Sequence, residues 1–391
     1  MSIVSPFSKA ALAGLELKNR LIRSGCYEGF CRLGAVTPEL IEHHRRIAEG
    51  GMAMTTLAYG CVSPEGRTFD DQIVITPDSV PGLEKLADAV HKEGAAVSIQ
   101  LTHGGYFADP RAIGRKPLGV SKVFNNYRMT FPEPMDAGDI TDVIDSFKQA
   151  ALLVKKAGFD AVEIHAGHGY LLSQFLSSYT NRRNDEWGGT MEKRCRMPAA
   201  VIEAVRTAVG RDFPIIVKMN LSDGISGGLE IEDALIAAGR FEAAGASALV
   251  PSCGFTSKTP FMMLRGNVPV KEMAKNRPTL FERIATRLFG GFMVQTYPYQ
   301  SLFLREGSLK ILKAVSIPVI YIGGVLSRVD IDQLMEDGFS FVQIGRATIR
   351  DPDFPKKLEA GEIQESDCDI CNRCVAAMDG GGVICVTNQP Q

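Results

Sequence analysis

The sequence predicts a (β/α)8 barrel. Two observations carry that prediction. Eight short apolar runs alternate with segments of helical periodicity along the chain. No Gly-x-Gly-x-x-Gly follows an early strand, which argues against the runner-up, a doubly wound nucleotide-binding sheet.

The expected strands, in order, are Leu21–Cys26, Ala53–Ala58, Ala95–Leu101, Ala161–His165, Ile215–Asn220, Ala248–Ser252, Pro318–Ile322 and Phe341–Ile344. Between the third and fourth, residues 139–158 place Ile140, Val143, Ile144, Phe147, Ala151 and Val154 on one helical face, with Gly158 as the stop. Met197, Val201, Ile202, Val205 and Val209 repeat the pattern before Gly210. Three stretches exceed a minimal barrel. Residues 109–137, dotted with prolines and lacking a period, follow the third strand and predict a lid over the barrel mouth. Residues 255–307, rich in Met, Phe and Tyr, predict a helical insertion after the sixth strand. That insertion reads as an extra layer and a homo-oligomer contact rather than as a grip on substrate. The third stretch is a Cys-rich tail. The expected division is therefore a barrel over residues 1–361 and a tail over 362–391.

Charge and cysteine content narrow the function. A net charge of −2 leaves no electrostatic footprint for nucleic acid or an anionic membrane. No apolar run reaches the ~20 residues that cross a bilayer. The N-terminus lacks a charged region followed by an apolar core, so no signal peptide is expected and the cytoplasm is the default. Small molecules are the expected partners. Of nine cysteines, Cys368, Cys371, Cys374 and Cys385 crowd at the end. In a chain without a secretion signal this suggests metal or redox chemistry rather than disulfides.

Chemistry concentrates at the ends of strands, where barrels bind ligands. The fourth strand runs into His165-Ala166-Gly167-His168-Gly169-Tyr170. Histidine can donate to a carbonyl oxygen and tyrosine can deliver a proton, although both also occur as packed structural residues. Gln100 closes strand three, and Lys218 lies inside strand five, where a lysine needs an anionic or polar partner. Strands seven and eight end in Gly323-Gly324 and Gly345-Arg346. Glycines let backbone approach an anion, and arginine adds a charged fork, so this end reads as a phosphate site. The tail spacing Cys-x2-Cys-x2-Cys-x10-Cys approaches that of [4Fe–4S] ligands. Structural zinc and uncoordinated thiols remain open alternatives.

These motifs resemble the Old Yellow Enzyme family over about residues 3–360. The resemblance rests on LKNRLIRSG (17–25), IQLTHGG (99–105), IHAGHGYLLSQFL (164–176), NRRNDEWGGTMEKR (181–194) and the two glycine ends. It implies FMN at the carboxyl mouth of the barrel, with NAD(P)H as reductant. The family's flavin contacts fall on Ser24, Gly25, Cys26 and Tyr27 after strand one, Tyr59 after strand two, Gln100, Lys218, Gly323, Gly324, Gly345 and Arg346. His165 and His168 would hold a substrate carbonyl, and Tyr170 matches the proton donor. Hydride would pass to the C=C bond of an α,β-unsaturated carbonyl compound. Lysine at 218 departs from the usual arginine, keeping the charge but losing the bidentate fork. The tail resembles the branch that includes trimethylamine dehydrogenase and 2,4-dienoyl-CoA reductase. That likeness offers a second reading, a dehydrogenase or demethylase passing electrons through a cluster to an external carrier. A non-redox phosphate-binding barrel is the third.

Overall fold

The computed structural model describes residues 4–276 and 279–388. Its eight principal strands are β1 (Leu21–Arg23), β2 (Met54–Cys61), β3 (Ala96–Thr102), β4 (Ala161–Ala166), β5 (Ile215–Asn220), β6 (Ala248–Ser252), β7 (Ile320–Ile322) and β8 (Phe341–Ile344). All pair in parallel, in the order β6-β5-β4-β3-β2-β1-β8-β7. The Leu249 N–H donates to the Pro318 carbonyl at 3.1 Å, and Leu249 bridges Val319, so β6 meets β7 and the sheet closes. Closure leaves no edge in the principal sheet and buries nearly every strand residue on both faces. That is why the strands read as continuous apolar runs.

Strands β5, β6 and β8 fall where the sequence places them. β1 stops at Arg23, because Ser24 keeps a single ladder bond to Ile344 before the chain leaves the sheet. β2 continues to Cys61 through a register shift between Ala58 and Gly60. Tyr59 therefore lies inside the second strand, at a bulge, and not after it. A bulge re-aims the extra residue, and here it turns Tyr59 toward the mouth.

Eight helices ring the sheet: α1 (Pro38–Glu49), α2 (Val80–Lys92), α3 (Ala137–Lys156), α4 (Arg196–Val209), α5 (Ile231–Ala243), α6 (Arg305–Ala314), α7 (Arg328–Glu336) and α8 (Phe354–Ala360). α3 is the periodic stretch 139–158. Asp136 and Asp139 cap it reciprocally, and Gly158 follows with φ +82°. At the amino end of the barrel, a hairpin of Ala10–Leu12 and Leu15–Leu17 seats Leu12 and Leu17 against Ile22, Met54, Ile216 and Phe341. The bottom is thus plugged with apolar side chains, and the polar interior lies toward the top.

Segment 109–137 lies at the carboxyl mouth, as expected of a lid. Arg128 ties it down: its guanidinium donates to the Phe107 and Thr68 carbonyls at 3.1 and 2.5 Å and pairs with Asp109 at 2.8 Å. The insertion after β6 contains helices Pro260–Leu264, Val270–Lys275 and Leu280–Met293. The tail returns to the barrel, where Val383 N–H donates to the Glu28 carbonyl at 2.6 Å.

Candidate active site

Strand alternation sends Gln100, Glu163, Lys218 and Gln343 into the barrel. Gln100 stands opposite Glu163, and Lys218 opposite His165. The Glu163 carboxylate gathers the layer. Its Oε1 accepts from Gln100 Nε2 at 2.6 Å and pairs with Lys218 Nζ at 2.8 Å, and its Oε2 accepts from Gln343 Nε2 at 2.7 Å. Glu163 is the partner that Lys218 requires, and motif reading passed over it. Its signal was a charged residue inside the apolar run Ala161–Ile164, two positions from His165 and so on the same face.

One layer higher stand His165, His168 and Tyr170. The His165 ring centroid lies 4.9 Å from that of His168 and 4.7 Å from that of Tyr170. His165 Nδ1 accepts from the Gly167 N–H at 3.3 Å, which leaves the proton on Nε2. His168 Nε2 lies 2.7 Å from Ser252 Oγ. Burial, then the charge of His168 and Lys218, hold His165 well below the usual imidazole range. Burial and Lys218 bring His168 down to about 3. Both rings are therefore neutral near pH 7, each with one nitrogen that no described protein group engages. Tyr170 is buried and donates to the Tyr59 hydroxyl at 3.1 Å, and burial pushes its phenol above the usual range. Tyr27 stacks on Phe69 with centroids 4.7 Å apart and meets Tyr59 at 5.5 Å. A cavity of about 930 Å³ opens outside these aromatics, walled by the lid, the insertion and the tail.

At the opposite end, Ile322 of β7 is in register with Gln343 of β8, which sets Gly323-Gly324 beside Gly345-Arg346. Gly323 and Gly324 adopt φ +117° and +72°, conformations that exclude ordinary side chains. Arg346 Nη1 donates to the Arg265 carbonyl at 2.9 Å and to Asn372 Oδ1 at 2.8 Å. Its remaining nitrogens are unengaged among the described residues. Arg265 brings a second guanidinium to this end, with a buried Nε that has no partner among the described residues. Ser24 and Gly25 follow β1. The missing Cβ of Gly25 leaves room beside Gln100 and Thr56, and Cys26 Sγ lies close to Gly345.

The tail closes on this same end of the barrel. Cys368, Cys371, Cys374 and Cys385 are free, half-buried thiols. Among the described residues no three His, Cys, Asp or Glu side chains stand close enough to hold a metal ion. The loop is fastened instead by Asn372, whose Nδ2 donates to the carbonyls of Arg265 and Asn267, both at 2.9 Å.

Comparison with known proteins assigns this architecture. The chain is 36% identical to 4,4'-dithiodibutanoate disulfide reductase of Rhodococcus erythropolis, over 96% of this chain and 94% of that protein. It is 31% identical to the NADH oxidase of Thermoanaerobacter brockii over 94% of this chain, and it spans about half (52%) of that longer relative. The fold matches a 2-naphthoyl-CoA reductase at TM-score 0.83 and 24% identity, covering 98% of this chain and 57% of that one. Morphinone reductase matches at TM-score 0.73 and 21% identity, with 94% and 92% covered. The sequence model of the NADH:flavin oxidoreductase / NADH oxidase family matches residues 7–250. This chain belongs to that family, the Old Yellow Enzyme family, and is an FMN-dependent oxidoreductase with NAD(P)H as its reductant.

Proposed function

We propose that the enzyme reduces the C=C bond of α,β-unsaturated carbonyl compounds and that His165, His168 and Tyr170 act on the substrate. The observation that carries this reading is the pairing of two neutral imidazoles with a buried phenol at the carboxyl end of β4. A carbonyl oxygen seated between the rings receives N–H from His165 Nε2 and His168 Nδ1. Both bonds strengthen as the oxygen gains enolate charge. Tyr170 then protonates the α-carbon.

The residues present fit FMN. The unpartnered Arg265 Nε and the free nitrogens of Arg346 suit its phosphate, beside the glycines Gly323, Gly324 and Gly345. Gln100 and Lys218 suit the polar edge of the ring, and the small Ser24-Gly25 step leaves it room. Cys26, Tyr27 and Tyr59 complete the wall. FMN, when bound, passes hydride from the nicotinamide to the β-carbon. The tail cysteines support an iron–sulfur or zinc site by spacing alone, so no electron-transfer step to an external carrier is assigned to them. Iron, acid-labile sulfide and zinc on anaerobically purified protein decide the point: about four irons per chain support the cluster.

The test is Tyr170→Phe. NAD(P)H should still bleach the flavin, while alkene turnover falls by roughly 10²–10⁴-fold. Unchanged turnover removes Tyr170 from proton delivery. A second reading comes from the 36%-identical relative, a disulfide reductase. On that reading NAD(P)H and a proton convert one disulfide to two thiols. Comparing kcat/KM for cyclohexenone with that for a dicarboxylate disulfide separates the two.

A further inference from the structure

A run of buried hydroxyls leads away from Tyr170 and takes no part in clamping a carbonyl. The Tyr170 hydroxyl donates to the Tyr59 hydroxyl at 3.1 Å, which lies 2.9 Å from Thr68 Oγ1. Thr68 Oγ1 donates to Gln72 Oε1 at 3.1 Å. The Gln72 amide is fixed in orientation. Its Oε1 also accepts the Thr68 N–H at 2.7 Å, and its Nε2 donates to the Tyr59 carbonyl at 3.3 Å. An amide oxygen can only accept. Thr68 must therefore donate, its oxygen accepts from Tyr59, and the Tyr59 oxygen accepts from Tyr170. Every proton in the chain points away from Tyr170. All four side chains are buried, and Thr68 and Gln72 are fully so, which makes the chain a blind end rather than a path to bulk water.

A blind, polarised chain can still reverse. We propose that Tyr59, Thr68 and Gln72 form a hydrogen-bond switch that positions the Tyr170 hydroxyl and then receives its phenolate. This rests on Tyr170 being the proton donor. When Tyr170 protonates the α-carbon, its O–H bond breaks, a C–H bond forms, and the charge passes from the enolate to the Tyr170 oxygen. The Tyr59 hydroxyl turns from Thr68 to Tyr170 and donates to that oxygen. A proton from water then restores the phenol and the original direction. Tyr59 and Thr68 are thus positioning residues. The titratable and charged groups around the pair are His165 on β4, Tyr27 after β1, and Tyr127 and Arg128 on the lid, and the substitutions below leave them in place.

The switch makes a prediction of opposite signs. In Tyr59→Phe the phenolate loses the donor of this chain and keeps the Thr256 hydroxyl beside it. Alkene turnover with cyclohexenone should fall roughly 10- to 100-fold, the loss expected of one hydrogen bond to a charged oxygen. The alkaline limb of the pH profile should move up by about one pH unit. In Thr68→Val, which keeps the shape, Tyr59 has no acceptor and donates to Tyr170 throughout, so the limb should move down. Ultraviolet tyrosinate titration of the substrate-free proteins, each differenced against the same protein carrying Tyr170→Phe as well, should show the same two opposite shifts. Shifts in one direction, or none, overturn the switch while Tyr170→Phe remains slow. Full alkene turnover in Tyr170→Phe instead removes the donor itself, and the switch with it.

Discussion

At the scale of single residues, the polar layer of the barrel is decided by Glu163. Lys218 is almost fully buried, and its counter-charge is the Glu163 carboxylate at 2.8 Å. Breaking such a pair from one side leaves an unmatched charge in a poor solvent. Glu163→Gln should therefore lower stability by about 3–5 kcal/mol and weaken flavin retention. The double variant Glu163→Gln, Lys218→Met removes the stranded charge and should recover much of that stability in thermal unfolding. If the double variant melts no higher than the single one, the lost hydrogen bonds to Gln100 and Gln343 dominate instead. This pair also marks what was legible. Lysine inside an apolar strand announced the need for a partner, and the His-x-x-His-x-Tyr run announced a strand end. Neither named Glu163, because its meeting with Gln100, Lys218 and Gln343 depends on the register of four strands distant in sequence.

At the scale of elements, the strands were legible because burial on both faces writes each one as an apolar run. The helices were legible because burial on one face writes a period. The lid carries neither signature. Its position at the mouth followed from its place after β3, but its anchoring did not, since Arg128 reaches to Thr68, Phe107 and Asp109. Arg128 also lies over the Phe107 ring at 4.9 Å. Arg128→Met should free the lid and raise KM for cyclohexenone several-fold with a smaller effect on kcat. Equal falls in kcat and kcat/KM would place Arg128 in the chemistry instead. In the tail the spacing announced neighbouring thiols, and Cys374 does lie within electrostatic reach of Cys368 and Cys371. It did not announce Asn372, which holds the described loop in a left-handed turn, φ +56°. The helix Leu280–Met293 presents Leu280, Ile284 and Leu288, exposed by 72, 51 and 62%, along one face. Residues four apart share a face, and such a stripe supports the reading of the insertion as a contact between copies. Ile284→Glu should then reduce the sedimentation mass; an unchanged mass removes this face from any self-contact.

At the scale of the whole molecule, buried titratable groups set the pH of greatest stability. Burial above all holds His43 and His165 well below the imidazole range, and it brings His44 and His168 to about 3 and His103, against the opposing pull of Glu65, to about 4. In the unfolded chain these imidazoles titrate near pH 6.5. Below that pH the unfolded state binds more protons than the folded one, and stability falls with acid. Glu28 runs the other way. Burial raises its carboxyl to about 8 from 4.5, against the opposing pull of Arg23 and the Ala58 N–H. Between pH 4.5 and 8 the folded state keeps a proton that the unfolded state has lost, so stability drains as pH rises through that window. Five histidines outweigh one glutamate until most of the unfolded imidazoles have lost their protons, a little above pH 7; beyond that the Glu28 slope wins, joined by the raised thiols of Cys31 and Cys61. Melting temperature should therefore peak at about pH 7 and decline toward pH 8. Glu28→Gln keeps an acceptor for the Ala58 N–H but cannot ionise, and it should flatten the alkaline decline while leaving the acid side steep. The loop that carries Glu28 also receives the tail through Val383. Ionisation there therefore loads the contact between barrel and tail, and limited proteolysis at pH 8.5 should nick the tail faster in the native protein than in Glu28→Gln. Equal nicking rates would confine the effect of Glu28 to the barrel.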